Sequence, residues 1–309
     1  MTEIQCKVSV CVPVYNGSKT ISALVDETIS ALSNDYQVEL VLVNDFSSDD
    51  SDVVCKSIAL NNPQVKYISL RKNFGEHNAV MCALNYATGD YIAIIDDDFQ
   101  NPPREIKAMV EEARKGFDVV YSRYETKKHH PFRNLGSKFN NLTASWLLEK
   151  PRDLYLSSFK VISAPLVKRI IAYTGPSPYV DGLLLRETRN ISVVTVEHED
   201  RREGESNYTL AKLMTLWLNM FINFSIKPLR IFALFGMFVT LFSFLMAAFF
   251  IIQKAYDPSL QIGWTSVMVS ILFFSGVQIV SLGLIGEYIG KGYMQANGTP
   301  QWTVKEEIL

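Results

Sequence analysis

Apolar residues in the first part of the chain fall into two kinds of run. Short, nearly continuous runs rich in β-branched residues are "KVSVCVPV" (Lys7–Val14), "VELVLVND" (Val38–Asp45), "VKYISL" (Val65–Leu70), "YIAII" (Tyr91–Ile95) and "DVVYS" (Asp118–Ser122). Each stops at polar residues, as a strand buried on both faces does. Between them lie Thr20–Leu32, a segment opened by "SSDDSDVV", Glu76–Ala87 and Pro102–Lys115, with apolar residues at helical spacing or helix-start residues. Asn101 is the expected N-cap of the last, with Pro102 at its first position. This alternation predicts an α/β fold with a mostly parallel sheet flanked by helices. Beyond residue 124 the pattern loosens. It suggests an amphipathic helix near Phe132–Leu148, a strand in "LYLSSFKVIS", helices over Pro165–Tyr173 and "YVDGLLLRETRN", and a last strand in "ISVVTVEHED".

The final third changes character. Ile231–Ile252 and Ile262–Ile285 contain no charged residue, although charged residues make up 20% of the chain and mean hydropathy is only +0.09. At ~1.5 Å per residue, each run can cross a hydrocarbon layer ~30 Å thick. The short "QKAYDPSLQ" between them makes a two-helix transmembrane hairpin with both ends on one side. Lys227, Arg230 and Lys291 flank the hairpin, against Lys254 beside Asp257 in the connecting loop, so the positive-inside rule places both termini in the cytoplasm. Tyr208–Phe224 gathers Leu210, Leu213, Trp217, Met220, Phe221 and Phe224 on one side. It reads equally as an interfacial helix or as one packed on the soluble part.

Charge and composition narrow the function. A net charge of −2 argues against a nucleic-acid binder with a strongly basic face. Met1–Gln5 is polar and carries no signal-peptide pattern. Cys6, Cys11, Cys55 and Cys82 include no C-x-x-C pair and read as core residues in a reducing compartment, and the histidines have no metal-ligand spacing. "PVYNGSKT" has one glycine where a dinucleotide-binding turn needs three, and no P-loop occurs.

In a doubly wound sheet, ligands bind beyond the carboxyl ends of the strands. The polar residues there are Tyr15-Asn16, Asn44-Asp45, Arg71-Lys72-Asn73, Asp96-Asp97-Asp98 and Ser122-Arg123, and all five sets should meet on one edge. Alternate residues of an extended segment point the same way, so Asp96 and Asp98 can share a target while Asp97 faces elsewhere. Two carboxylates at that spacing suit Mg²⁺ or Mn²⁺ completed by substrate phosphates. By themselves such acidic triplets are more often a solvated turn or a helix cap.

The order of "VSVCVPVYNGSKTI", "LVNDFSSDDS", "LRKNFGEHNAV", "GDYIAIIDDDFQNPP" and "DVVYSR", with "RREGESNYTLAKL" and the hairpin behind them, resembles the inverting family-2 glycosyltransferases of GT-A fold. Within that family it is similar to the branch of dolichyl-phosphate mannosyltransferases and polyprenyl-phosphate glycosyltransferases. The resemblance covers nearly the whole chain. It implies a cytoplasmic catalytic domain over 1–207, an amphipathic juxtamembrane segment over 208–230, the hairpin within 231–290 and a tail over 291–309, in the plasma membrane. It implies transfer of a sugar from a nucleotide sugar, UDP-linked and glucose-like, to polyprenyl (undecaprenyl) phosphate. Aminoarabinose, N-acetylhexosamine and GDP-mannose donors stay open, as do a processive polysaccharide synthase, a non-catalytic sugar-nucleotide-binding subunit, and homo-oligomer formation.

The resemblance also implies roles for residues. Pro13, Tyr15, Asn16 and Asp45 would hold base and ribose, and Asp97, grouped with these nucleotide-binding residues, would contact sugar hydroxyls or cap the turn. Asp96 and Asp98, helped by Gln100, would bind the divalent ion. Arg201, with Arg202 as second choice and Ser206 in the same R-x-x-G-x-S segment, would neutralise the leaving group. Arg123, Arg133 and Ser137 would bind the acceptor phosphate. Three departures stand out: Phe46 occupies a position where glycine is usual, Asn207 replaces a lysine, and Asp97 replaces a small residue.

Overall fold

The computed structural model describes residues 6–124, 150, 151, 154–197, 199, 227–256 and 263–309. The described residues 6–197 and 298–309 belong to one compact unit and the two long C-terminal helices to a second. In the first unit, β1 (Lys7–Val14), β2 (Gln37–Asn44), β3 (Val65–Leu70), β4 (Tyr91–Ile94), β5 (Val119–Tyr124), β6 (Lys160–Ser163), β7 (Ile191–Val196) and β8 (Val304–Ile308) form one sheet. Its spatial order is β7-β5-β6-β4-β1-β2-β3-β8. The pairs β1–β2, β1–β4, β2–β3 and β5–β7 are parallel, whereas β6 runs antiparallel to both β4 and β5.

The helices α1 (Ile21–Leu32), α2 (Ser51–Asn61), α3 (Glu76–Tyr86), α4 (Glu105–Ala113), α5 (Ala164–Ile170) and α6 (Val180–Glu187) flank the strands. In α1, Ile21, Leu24, Val25, Thr28 and Leu32 are the buried residues, an apolar stripe at helical spacing. Nearly every residue of β1 and β2 is buried, which accounts for their continuous rather than alternating apolar runs. Val14 stands opposite Asn44, and Asn44 opposite Ser69. The carboxyl ends of β1, β2 and β3 are therefore level, and Ile95, donating its N–H to Cys11 O at 3.2 Å, brings the Asp96 turn to the same edge.

Four expectations change. The fourth helix begins at Glu105, not Pro102, because Asn101 does not cap it: its Oδ1 accepts the Tyr124 hydroxyl at 2.7 Å. The strand expected from Leu154 is confined to Lys160–Ser163, and Ser157 and Ser158 turn their hydroxyls to other partners. The two apolar C-terminal helices are longer than the charge-free runs, α7 spanning Lys227–Tyr256 and α8 Trp264–Ala296. The tail carries β8, antiparallel to β3, with Tyr67 opposite Ile308 and Ser69 opposite Glu306. Its charged "VKEEI" hides it from hydropathy while suiting an edge strand. Helices near Phe132–Leu148 and Tyr208–Phe224 fall outside the described residues.

In the second unit, Leu229–Met246 of α7 and Phe273–Ala296 of α8 are long and apolar enough to cross a membrane, and no residue of either stretch is buried by protein. Core helices would be covered. These leave Phe238, Leu241, Phe244, Ile279 and Val280 more than half exposed.

Candidate active site

Three loops at the carboxyl edge are tied to one another. After β2, Asp45 is buried and its carboxylate accepts the backbone N–H groups of Phe74 (2.7 Å) and Gly75 (2.8 Å), bracing the loop that enters α3. Burial pushes the Asp45 carboxyl up, against those two hydrogen bonds. After β1, Asn16 donates its N–H to Ser47 Oγ (3.0 Å) and accepts the Ser48 N–H (2.8 Å), joining the first loop to the second. Tyr15 donates its N–H to Asp97 Oδ2 at 3.2 Å, joining the first loop to the one after β4. Gly17 sits directly beneath, where a Cβ would lie 2.2 Å from the same Oδ2, so only glycine admits this approach.

Asp97 thus faces the β1 loop, whereas Asp96 turns toward β6 and accepts the Ser158 hydroxyl at 2.6 Å. Asp98 Oδ1 accepts the Gln100 N–H at 3.1 Å, a local turn that carries the chain over Phe99. All three aspartates are half-buried at this edge. Burial, the charge of Glu76 and that of Asp98 raise the Asp96 carboxyl to about 7, against the Ser158 hydrogen bond. Burial and the charges of Asp96 and Asp98 likewise raise Asp97 to about 7. The nearby cation Lys160 is buried in an ion pair with Asp181, which also accepts the Tyr121 hydroxyl at 3.0 Å. Negative charge therefore accumulates where β4 ends.

This donor set fits a hard divalent cation. It offers oxygen ligands only, and a positive ion would offset the burial and the neighbouring negative charges that hold Asp96 and Asp97 toward their neutral forms. Among the described residues no group of three or more His, Cys, Asp or Glu surrounds a metal position, so the chain would supply a partial shell completed by water or phosphate oxygens. Gln100 is half-buried at the rim, and its carbonyl accepts the Glu199 N–H at 3.0 Å. The chain approaching the R-x-x-G-x-S segment therefore passes against this loop.

Pro13 is half-buried at the end of β1, and Tyr15 is 47% exposed beside it. Arg123 is exposed on β5, which β6 separates from β4. Arg133, Ser137, Arg201, Arg202 and Ser206 lie outside the described residues. Sequence reasoning missed Ser158, Gly17 and the Lys160–Asp181 pair. Serine, glycine and single charges are too common to signal a site without their partners.

Backbone strain is concentrated at the same edge. The non-glycine residues with positive φ among those described are Asn16 (58°), Phe46 (58°) and Phe99 (61°), following β1, β2 and β4. Asparagine tolerates this conformation, whereas a bulky side chain pays about 1–2 kcal/mol for it. A glycine at position 46, which the resemblance leads one to expect, would meet this φ without strain.

Comparison with known proteins decides the family. Residues 9–169, just over half of the chain, match the family described as Glycosyl transferase family 2, and residues 227–291 match the GtrB C-terminal hairpin. The chain belongs to glycosyl transferase family 2. It is a glycosyltransferase. Among its relatives in this family is the undecaprenyl-phosphate 4-deoxy-4-formamido-L-arabinose transferase of Edwardsiella ictaluri, 32% identical over 97% of this chain and 94% of the relative. The protein of the same name from Yersinia enterocolitica is 30% identical over 98% of this chain and 94% of its own length. The fold is similar to that of glucosyl-3-phosphoglycerate synthase from Mycobacterium tuberculosis, with a TM-score of 0.54 and 21% identity over 70% of this chain and 78% of the other. That neighbour has been solved with Mn²⁺, UDP and glucosyl-3-phosphoglycerate, and also with Mg²⁺ and UDP.

Proposed function

We propose that this glycosyltransferase is membrane-bound and moves a sugar from a nucleoside diphosphate, UDP first among candidates, to polyprenyl phosphate with inversion at the anomeric carbon. The observation that carries this reading is end-to-end similarity: relatives named for transfer to undecaprenyl phosphate align over 97–98% of the chain, hairpin included. Two apolar helices uncovered by protein support a membrane location, which is where a polyprenyl acceptor resides. The 4-deoxy-4-formamido-L-arabinose of those relatives is a pentose, so a UDP-linked aminoarabinose derivative ranks beside the glucose-like donor.

Pro13, Tyr15, Asn16 and Asp45 hold base and ribose in this reading. The carboxylate of Asp45 keeps spare acceptor capacity after binding Phe74 and Gly75, enough to take an imide N–H. Asp96 and Asp98, with Gln100 at the rim, would hold Mg²⁺ or Mn²⁺, which neutralises charge on the diphosphate. Asp97 anchors the β1 loop against the β4 turn. Arg201, with Arg202 and Ser206 in the same segment, would neutralise charge on the leaving diphosphate. Arg123, Arg133 and Ser137 bind and aim the lipid phosphate. A phosphate monoester is already anionic at neutral pH, so it needs little help from a general base. Its oxygen bonds to the anomeric carbon as the bond to the diphosphate oxygen breaks, and the nucleoside diphosphate departs with the electron pair.

The test is transfer of radiolabelled sugar from a panel of nucleotide sugars to undecaprenyl phosphate, using full-length protein in membranes. UDP-glucose, a UDP-linked 4-deoxy-4-formamido-L-arabinose, UDP-N-acetylglucosamine and GDP-mannose cover the candidates. Transfer should stop with EDTA and fall about 10²–10³-fold in Asp96→Ala or Asp98→Ala. Transfer indifferent to EDTA and to both substitutions refutes the metal assignment, and no product with any donor refutes the reaction.

A further inference from the structure

Phe46 and Phe99 share an unfavourable backbone conformation, yet only one of them is compensated by the fold. Phe99 is 1% exposed and packs in the hydrophobic core, whereas Phe46 leaves 54% of its surface in solvent. The backbone around Phe46 is held from both sides. Asp45 donates its N–H to Val14 O at 3.0 Å, and its carboxylate is fixed by Phe74 and Gly75. Ser47 donates its N–H to Asn44 Oδ1 at 3.0 Å, and its hydroxyl accepts the Asn16 N–H. The positive φ is thus imposed by the loop, and glycine would meet it without strain. Burial of the phenyl ring is not what repays the strain in the free protein. Strain held in place by its surroundings at a ligand edge points to a role in binding.

Phe46 directly follows Asp45, and Asn16 and Ser47 link its loop to that of Tyr15, itself 47% exposed. We propose that Phe46 is a donor-binding residue whose ring stacks on the nucleobase of the sugar nucleotide, a pyrimidine such as uracil. It is the exposed aromatic ring that directly follows Asp45, the residue assigned to the base. This rests on the donor reading above and adds to it a contact that glycine at this position cannot make. The site exchanges folding stability for base affinity.

The experiment uses full-length protein in detergent with Mn²⁺, measuring the UDP dissociation constant by calorimetry and the melting temperature without nucleotide. Phe46→Gly should melt higher than wild type, because the strain is relieved, while binding UDP about tenfold more weakly, or about 1.4 kcal/mol. Phe46→Tyr and Phe46→Trp should keep affinity within about threefold, since either ring stacks on a base. A merely structural role would move melting and affinity together. Phe46→Gly that binds UDP as tightly as wild type overturns the stacking role and leaves the donor reading standing. Wild-type protein that binds neither UDP nor GDP overturns the donor reading, and this one with it.

Discussion

Replacing Gly17 by alanine would place a methyl carbon 2.2 Å from Oδ2 and 3.0 Å from the carboxyl carbon of Asp97. Ordinary contact begins near 3.5 Å, so the carboxylate must retreat by about 1.3 Å. Its hydrogen bond from Tyr15 N–H, at 3.2 Å, is then lost. A hydrogen bond to a charged acceptor is worth about 1.5–3 kcal/mol, and the lower end applies because water can reach the exposed Tyr15. About 1.5 kcal/mol corresponds to roughly tenfold in donor use. The next nearest atom, Val14 Cγ1, is at 3.4 Å, so the fold should tolerate the methyl group and melting should fall only by the few degrees that one hydrogen bond is worth. The assay is a double-mutant cycle on kcat/KM for the nucleotide sugar, with Gly17→Ala, Asp97→Ala and both together. If Gly17 acts by admitting Asp97, each single variant loses about tenfold and the double variant loses no more. A hundredfold loss in the double variant, or a Gly17→Ala enzyme with wild-type kinetics, would refute the coupling.

Three further outcomes are expected. Glu39, buried at the opposite end of the sheet, receives Ser9 Oγ (2.5 Å), Thr88 N–H (2.8 Å) and Lys7 Nζ (2.9 Å), with Lys66 Nζ at 3.0 Å. Burial opposes its ionisation, but these hydrogen bonds lower the carboxyl from 4.5 to about 2. A carboxyl lowered on folding stabilises above its unfolded value and loses that contribution as pH falls through its folded one. Chemical denaturation should therefore show up to about 3 kcal/mol lost between pH 5 and pH 2 in wild type. Glu39→Ala should be less stable by about 3–5 kcal/mol at pH 7 and much flatter across that window. Removing residues 304–309 uncovers the edge of β3 and should lower the melting temperature by several degrees, whereas Lys56→Ala, which loses only its exposed pair with Glu306, should change stability by less than about 1 kcal/mol. Arg133→Ala should raise KM for polyprenyl phosphate about tenfold or more while leaving UDP affinity within about twofold, and equal losses would remove it from the acceptor site.

Hydrophobic patterning determined the layer architecture. The unbroken apolar runs of β1 to β5 required strands covered on both faces, and the intervening helical spacing required crossovers that leave parallel strands. Parallel order then sends the polar residues ending those strands to one edge, which is why Tyr15, Asp45 and Asp96 could be grouped before any coordinates. The charge-free stretches Ile231–Ile252 and Ile262–Ile285 revealed the two long apolar helices for a similar reason, since length and absence of charge are properties of the segment alone. Partner choice is not such a property. Whether Asn101 caps α4 or accepts Tyr124, and whether Ser158 continues a strand or bonds Asp96, depends on the antiparallel insertion of β6 between β4 and β5. The tertiary structure alone also decided that Asp97 braces the β1 loop over Gly17, and that "VKEEI" closes the far edge as β8. Periodicity acts within a few residues. These contacts join groups tens to hundreds of residues apart, and only the order of strands in space brings them into reach.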